Sequence, residues 1–491
     1  MSLLLTPLAR RLAVRWGLVD RPDGRCKLHE RPVAVSGGVA LLSALALGAL
    51  AAPFAPPPLG LPAPEWSRPW LGLLLGTLVI AGVGLADDLC CLRGRHKLLG
   101  QLVAVAVVVG FGARVERVAF WGASVDLGAL AVPFTAFWLL GVVNAFNLLD
   151  GMDGLVSSVG LIACAALAGM AGLREAWDVA AVAVALAGAL AGFLPYNFAP
   201  ATIFLGDCGS MAIGLIVGTL AMQASLTGPA TMALAAPAAL LVLPIADTTA
   251  AVLRRKLTGR SVYCSDRAHL HHCLLRGGLS KRRAVLLVAG LSLVAAAGAL
   301  ASVAGVSEWP ALAGAAFVVA LLVATRLFGH AELLLLWQRA GGLTRSFLVR
   351  PPGRTGHAVA LRLQGSADWR EVWAPLLEVA ARLNLVSVRF DVHAPALHEG
   401  YHACWDLPGR DRDGEGLWRA EIPLTVRGQV VGRLQVAGPH EGDDLAETVA
   451  AVARLVAEVE AAVSLVAARD GAEAPARPEP RPMNGHLSKV P

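Results

Sequence analysis

The chain has 491 residues, of which 56% are hydrophobic and 16% charged, and its formal net charge is +6. Soluble domains carry about 25% charged residues, so this composition and a mean hydropathy of +0.61 exclude an ordinary soluble protein. The apolar runs before residue 330 are too long and too little alternating for the strands of a membrane barrel. We therefore expect an all-α polytopic membrane protein with about ten transmembrane helices, followed by a C-terminal cytoplasmic α+β domain.

The charge distribution predicts the orientation of the membrane domain, residues 1–330. Most lysines and arginines of the connecting segments fall on one side of the predicted spans, whereas the other side holds only four arginines. Because Lys and Arg mark the cytoplasmic side, we expect the basic side to face the cytoplasm. The predicted spans are 34–52, 69–86, 98–112, 129–147, 155–172, 178–194, 209–225, 230–248, 286–305 and 310–328.

Five polar clusters of the membrane domain fall on this same cytoplasmic side. Ionisable residues at membrane depth are costly to bury, and they mark functional sites by default. We therefore expect the five clusters to converge in one cleft. They are "DRPDGRCKLHERP" (20–32), "ADDLCCLRGRHK" (86–97), "NAFNLLDGMDG" (144–154), "FLGDCGS" (204–210) and "DTTAAVLRRKLTGRSVYCSDRAHLHH" (247–272).

The side chains in these clusters indicate phosphoryl transfer at the membrane surface. Carboxylates and amides favour a hard cation such as Mg²⁺, whose coordination shell substrate phosphate can complete. Lysine, arginine and histidine are suited to hold phosphates. The chain carries no Walker A loop and no kinase signature, so a nucleoside triphosphate is not the expected donor.

The same five segments, in this order, resemble the polyprenyl-phosphate N-acetylhexosamine-1-phosphate transferases. The resemblance covers about residues 15–330, and "DRAHLHH" is more similar to the N-acetylglucosamine (GlcNAc) group than to the related lipid I-forming enzyme. It implies transfer of N-acetylhexosamine-1-phosphate, with GlcNAc as the expected sugar, from a UDP-sugar to undecaprenyl phosphate. UMP would be released, and the lipid-linked pyrophosphoryl sugar would start a cell-envelope polysaccharide. The implied location is the bacterial inner membrane, with the site and the C-terminal domain in the cytoplasm.

The resemblance also implies roles for individual residues. It implies Mg²⁺, with Mn²⁺ as an alternative, held by Asn147 and Asp207. Asp87 would orient the lipid phosphate, and Asp150 would lie beside the metal. The implied catalytic set is Asp87, Asp88, Asp150 and Asp207. The implied substrate-binding set is Lys97, Asn144, Asp153, Arg267, His269, His271 and His272. The expected partners are the donor, the carrier lipid and the bilayer, without nucleic acid, and a second copy of the chain is the partner if the C-terminal helix forms a dimerising coil.

Two other interpretations of the membrane domain stay open at this point. One is a non-catalytic scaffold or a transporter that presents the cytoplasmic domain, although a transporter is expected to show internal repeats. The other is a zinc site near the histidines, but the spacing of Cys264 and Cys273 fits no usual zinc pattern. The family normally has a further membrane helix before its first motif, and "MSLLLTPLA" is too short to span a bilayer.

Beyond residue 330 the composition changes. We expect a linker with a membrane-surface helix at 331–356, a soluble α+β domain at 357–469 and a disordered tail at 470–491. Predicted strands are "HAVALRL", "LVSVRFDV", "GLWRAEIPL" and "QVVGRLQVAG", with a helix at "ADWREVWAPLLEVAARLN". A final helix near 443–469 repeats valines at heptad spacing, which predicts either packing on its own sheet or a dimerising coil.

Overall fold

The computed structural model describes two units of the chain, Met1–Leu333 and Leu334–Pro491. Described in the first are 1–20, 32–51, 67–228, 231–257, 268–330 and residue 333. Described in the second are 357–364, 369–383, 385–394, 399–407, 417–426, 429–439 and parts of 450–464. The predictions for the linker (apart from residue 333), for the tail, for most of the first cluster and for Arg267 lie outside these residues.

The first unit is a bundle of helices whose ends alternate between two faces. Within its described residues, six helices are long and apolar enough to cross a membrane: α3, α5 with the short turn before it, α6, α7, α8 and α12. The helices are α1 Ser2–Trp16, α2 Gly37–Ala51, α3 Arg68–Cys90, α4 Gly94–Gly110, α5 Ala131–Leu149, α6 Leu155–Leu173, α7 Trp177–Asn197, α8 Gly206–Ala224, α9 Ala235–Leu240, α10 Val242–Leu257, α11 Leu270–Arg276, α12 Lys281–Ala304 and α13 Trp309–Ala324.

The predicted span 230–248 is not one helix, which corrects the sequence interpretation. Its first residues form a strand, and the remainder is divided between α9 and α10, with the break at Leu241. Pro244 has no N–H to donate to a carbonyl four residues earlier, so a continuous helix cannot pass through this point without losing a hydrogen bond. The apolar composition of the segment therefore concealed a break.

Two small sheets cap the bundle. The first unit was expected to be all-α, and these sheets correct that expectation. At one face, β1 (Val19–Asp20) pairs with β2 (Val33–Val35), which pairs in parallel with β5 (Ile203–Phe204). At the other face the strand order is β4-β3-β7-β6. These strands are β3 Arg117–Phe120, β4 Ala123–Asp126, β6 Leu226–Gly228 and β7 Thr231–Ala233. The first sheet brings the flanks of the first polar cluster beside the segment that enters α8.

Helix α8 lies at the centre of the bundle, and 89% of its most apolar window is buried. Its first turn touches two other helices at backbone distance. A Cβ atom added at Gly84 of α3 would lie 2.5 Å from the Cα of Cys208, and one at Gly38 of α2 would collide with the backbone of Gly209. The glycines therefore let α2 and α3 fix the position of the N-terminus of α8.

The second unit contains a five-stranded antiparallel sheet with strand order β11-β12-β9-β10-β8. The bounds are β8 His357–Gln364, β9 Ser387–Ala394, β10 Glu399–Asp406, β11 Leu417–Val426 and β12 Gln429–Pro439, with helix α14 at Arg370–Arg382. Strand β10 was not among the predicted strands, although Tyr401, Ala403 and Trp405 alternate into the core. Val456 and Val459 of the final helical segment pack against this same core, as expected for packing on its own sheet.

Candidate active site at one end of the membrane helices

The centre of the candidate site is an ion-pair network across three helices. Lys97, in the first turn of α4, places its Nζ 3.1 Å from Oδ2 of Asp87 near the end of α3, and it donates a hydrogen bond to Oδ2 of Asp207 in the first turn of α8. The side chains of Lys97, Asp87 and Asp207 are 18%, 13% and 29% exposed, so ligands can reach them. Two carboxylates that lie 120 residues apart in sequence are thus held around one ammonium group.

Asn147, in the last turn of α5, joins the same network. Its Nδ2 donates to Oδ1 of Asp207 at 2.7 Å and to Oγ of Ser210 at 3.1 Å. Asp207 is therefore held by Lys97 on one oxygen and by Asn147 on the other. Ser210 was not among the predicted residues, although it follows Asp207 by three positions and so shares its helix face.

Asp88 has different surroundings from its neighbour Asp87. Its two carboxylate oxygens accept hydrogen bonds from the backbone N–H groups of Asp207 at 2.8 Å and Cys208 at 3.2 Å. A carboxylate at these N–H groups caps α8 and complements the positive end of its dipole. Gly206 has a φ of 72°, and a Cβ there would lie 2.6 Å from Oδ2 of Asp88. The structure thus places Asp88 behind Asp207, as the cap of the helix that presents it.

Asp87 is fixed by the turn that follows it. Its Oδ1 accepts a hydrogen bond from the backbone N–H of Leu92 at 2.6 Å, and its carbonyl accepts one from Cys91, which has a left-handed φ of 49°. One oxygen of Asp87 is therefore held by the chain, and the other faces Lys97.

Asn144 lies one turn deeper in the bundle than Asn147. Its Nδ2 donates to Oε1 of Gln101 at 2.9 Å and to the carbonyl of Leu140 at 2.8 Å, and its Oδ1 accepts from Nε2 of Gln101 at 3.3 Å. Its amide is thus engaged with protein groups on both ends. Gln101 was missed by the sequence reasoning, although it follows Lys97 by four positions on the same face of α4.

The loop after α5 brings in the fifth cluster. The ring of His271 lies directly against Gly151, where it would collide with any Cβ. Asp153 accepts a hydrogen bond from the N–H of Ala201 at 3.1 Å, and its Oδ2 lies 3.8 Å from Nζ of Lys281 at the start of α12. The loop therefore connects the α5 end of the site to the histidines and to the segment before β5. Desolvation and the nearby Asp207, Asp88 and Asp153 raise the pKa of Asp150 well above its usual range.

The three histidines form a row that a buried acid holds in place. Asp247 of α10 lies 3.1 Å from Nδ1 of His269, and it accepts the N–H of Leu270 at 2.7 Å. His269 stacks on His271 with ring centroids 6.1 Å apart, and His272 follows at 4.2 Å from His271. Burial and the two neighbouring imidazoles lower the pKa of His271 to about 3, so its ring is neutral at physiological pH.

The oxygen atoms around Lys97 fit a Mg²⁺ ion. Mg²⁺ prefers carboxylate and amide oxygens and keeps part of its shell for water or substrate phosphate. Asp207 and Asn147 offer such atoms side by side, with Asp87 and Asp150 nearby. In the described part of the chain, no three His, Cys, Asp or Glu side chains group as a complete metal site. A metal here would thus rest on few protein ligands and on the substrate, as Mg²⁺ sites at phosphates do.

This geometry describes an integral membrane protein with an acidic, lysine-bridged site at one end of its helices, and its sequence is similar to those of known proteins. The profile described as glycosyl transferase family 4 matches residues 70–225. A decaprenyl-phosphate N-acetylglucosaminephosphotransferase of Mycolicibacterium smegmatis is 34% identical over 320 residues, covering 58% of this chain and 75% of the relative. A phospho-N-acetylmuramoyl-pentapeptide-transferase of a Thermoanaerobacter species is 31% identical over 289 residues, covering 56% and 85%.

A third similar protein is a probable undecaprenyl-phosphate N-acetylglucosaminyl 1-phosphate transferase of Bacillus subtilis, 29% identical over 288 residues, covering 58% of this chain and 77% of the relative. The chain belongs to glycosyl transferase family 4. It is a membrane-embedded glycosyltransferase of the kind that makes cell-wall and polysaccharide precursors, which confirms the family predicted from the five sequence segments.

Proposed function

We propose that this protein transfers GlcNAc-1-phosphate from UDP-GlcNAc to undecaprenyl phosphate at the cytoplasmic face of the bacterial inner membrane. The products are UMP and a lipid-linked pyrophosphoryl sugar that starts a cell-envelope polysaccharide. The family and the names of the relatives support sugar-phosphate transfer to a polyprenyl phosphate. The observation that carries the proposal is the network in which Lys97 bridges Asp87 and Asp207 while Asn147 holds Asp207.

The reaction needs little covalent chemistry from the protein. An oxygen of the lipid phosphate attacks the β-phosphorus of the UDP-sugar, and the bond from that phosphorus to the bridging oxygen breaks, so the oxygen leaves with UMP. A phosphate monoester has its second pKa near ~6 and is already largely dianionic at neutral pH. Catalysis is therefore mainly a matter of positioning and charge stabilisation.

The residues of the network divide this work. Lys97 offers its ammonium to a phosphate oxygen, and Asp87, held by the N–H of Leu92, orients Lys97 and the acceptor phosphate. Asp207 and Asn147 would hold Mg²⁺, which when bound supplies positive charge for the pyrophosphate and the leaving UMP. Asp247 fixes His269, and the neutral ring of His271 stacks on His269; we assign these two rings to the sugar and phosphate side of the donor.

The proposal is tested with purified full-length protein in detergent, undecaprenyl phosphate and two donors, UDP-GlcNAc and UDP-N-acetylmuramoyl-pentapeptide. We expect Mg²⁺-dependent release of UMP and a lipid-linked product with UDP-GlcNAc, and little or none with the second donor. Asp178 lies at the other end of the bundle, where it accepts a hydrogen bond from Trp70 at 2.9 Å, so Asp178→Asn is the matched control for site variants. Preference for the peptide-bearing donor would contradict the assigned sugar, and inactivity with both would favour a non-catalytic scaffold.

A further inference from the structure

Three helices meet in two layers of side chains that lie about one helical turn apart. The upper layer is Lys97 of α4, Asn147 of α5 and Asp207 of α8. The lower layer is Gln101 of α4, Asn144 of α5 and Met211 of α8, joined by the Gln101–Asn144 hydrogen bonds and by a contact of 3.3 Å from Nε2 of Gln101 to Sδ of Met211. Each lower residue is three or four positions from its upper counterpart, so it lies about one turn away on the same helix face.

Two of the three side chains of the lower layer are closed to ligands, and the third, Asn144, is half-buried. Gln101 is 1% exposed and Met211 is fully buried. Both ends of the Asn144 amide are engaged, by Gln101 and by the carbonyl of Leu140. An amide pair of this kind has directional demands that apolar packing lacks, because sliding or rotating one helix breaks both hydrogen bonds between Gln101 and Asn144. Hydrogen bonds between membrane helices act as such specific joints.

We propose that Gln101 and Asn144 are a positioning pair that sets the register of α4 and α5 and so places Lys97 and Asn147 around Asp207. Asn144 then acts through Asn147 and Asp207, and it does not contact the donor. The inference deepens the proposed function and rests on it for its catalytic readout, whereas its metal-binding readout is independent of turnover.

The test compares full-length variants in detergent: Gln101→Leu, Asn144→Leu and the exchange variant Gln101→Asn/Asn144→Gln, which keeps the summed length of the pair. The first measurement is the apparent Kd for Mg²⁺ from the rise of the melting temperature without substrates. The second is kcat and the KM for UDP-GlcNAc. The control is Trp138→Phe, which removes another hydrogen bond between α5 and α8, from Nε1 of Trp138 to the carbonyl of Gly218 at 2.9 Å, far from the site.

We expect each leucine variant to raise the Kd for Mg²⁺ and to lower kcat by about tenfold, because an amide loses its partner. The KM for the donor should change by less than about twofold. The exchange variant should recover most of both values, and Trp138→Phe should lower the melting temperature without changing the Kd. If a leucine variant does not fold, Gln101→Asn alone is compared with the exchange variant. Gln101→Asn shortens one side chain and leaves a gap between the two amides, and only the exchange variant fills that gap with a longer side chain at position 144.

Three results would overturn the inference. One is a leucine variant with unchanged Kd and kcat. Another is a raised KM for the donor with an intact Kd, which would make Asn144 a substrate contact. The third is a folded exchange variant no better than Gln101→Asn. If the wild type binds Mg²⁺ but transfers no sugar, the proposed function fails, and the Kd comparison still decides the positioning role.

Discussion

The protein contains two clusters of charged side chains that differ in how their charges are matched. In the second unit, Asp391 lies between His402 at 2.5 Å and Arg433 at 3.1 Å, and Arg433 also reaches Glu421 at 3.2 Å. In the membrane unit, Lys97 lies between Asp87 and Asp207. The first cluster surrounds one acid with two cations, whereas the second surrounds one cation with two acids.

The difference separates a charge cluster that is balanced within the protein from a site for which we propose a bound cation. Within the second unit, burial opposes the charged forms, but the hydrogen bond between His402 and Asp391 prevails, raising the pKa of His402 to about 9 and lowering that of Asp391. The charges of the cluster around Asp391 are therefore balanced within the protein. In the membrane unit the protein leaves an excess of negative charge around Lys97, which Mg²⁺ would balance in the proposed function. The sign of the net charge within a cluster therefore says more about its role than the number of acidic side chains does.

The largest expected effect comes from changing the charge balance of the membrane site. Asp207→Asn removes the negative charge that faces Lys97 and that would hold Mg²⁺ in the proposed function, and we expect the rate of GlcNAc-1-phosphate transfer to fall by roughly 10³-fold. The measurement is UMP release at saturating donor and carrier. Asp178→Asn, the same change at the other end of the bundle, should keep wild-type activity. Substantial activity in Asp207→Asn would show that the excess negative charge is not the functional feature.

The stability contributed by the balanced cluster around Asp391 should depend on pH and not on metal. The folded-state pKa of His402, about 9, lies above its ordinary value of 6.5. The stability that His402 contributes is therefore fully present below about pH 6.5 and is lost as the pH rises through 9, a loss of about 3 kcal/mol. The measurement is the urea midpoint of the second unit, by pulse proteolysis of the full-length protein between pH 6 and 10.

His402→Gln is the control for this titration, because it removes the imidazole and should flatten the decline between pH 6.5 and 9. A midpoint that rises over this range in the wild type would mean that His402 is neutral in the folded protein. The charges of the cluster around Asp391 would then not be balanced within the folded protein.

A smaller effect is expected where a charge acts only on backbone groups. Asp88→Ala removes the acceptor of two N–H groups at the start of α8, and we expect a loss of about 1–2 kcal/mol, read as a lower melting temperature in detergent. Asp88→Asn keeps one acceptor and should be intermediate. If Asp88→Ala melts like the wild type yet is inactive, Asp88 acts on substrate directly and its assignment as a cap is wrong.

The smallest effect is expected for an exposed pair. Arg114 and Glu116 lie 2.8 Å apart at the other face of the bundle, and their side chains are 53% and 48% exposed. Exposed ion pairs contribute little because water screens both charges. Arg114→Gln should leave the melting temperature and the transfer rate unchanged. A clear drop in either quantity would mean that a short distance between opposite charges is enough to make an ion pair important in this protein, whether or not the pair is buried or its charges are unbalanced.

The sequence was sufficient to pick out side chains that the structure brings together, because each polar cluster interrupts or ends an apolar run. Asp87, Lys97, Asn147 and Asp207 were all identified in this way. Their separate tasks could not be predicted, since Asp87 and Asp88 are neighbours in one motif and only the position of α8 makes one an ion-pair partner and the other a cap. Gln101 was missed because a single glutamine in an apolar helix gives no signal until its partner is known.

The fold shows the same limits. The long apolar helices follow directly from hydrophobicity, and strands β8, β9, β11 and β12 of the second unit follow from alternation, whereas β10 was missed although its residues alternate. The break between α9 and α10 and the two small sheets of the membrane unit were missed, because strand pairs such as Ala34–Ile203 join segments far apart in sequence. Short strands held by such distant partners carry little pattern of their own.

The most direct test of the central claim is isotope exchange by the purified full-length protein. Labelled UMP, undecaprenyl-pyrophosphoryl-GlcNAc and Mg²⁺ are supplied, and labelled UDP-GlcNAc is measured with Asp207→Asn in parallel. The account predicts exchange that requires Mg²⁺, stops with EDTA and is lost in the variant. Exchange that persists with EDTA or in Asp207→Asn, or its absence from the folded wild type, would contradict a metal-assisted transferase site around Lys97 and Asp207.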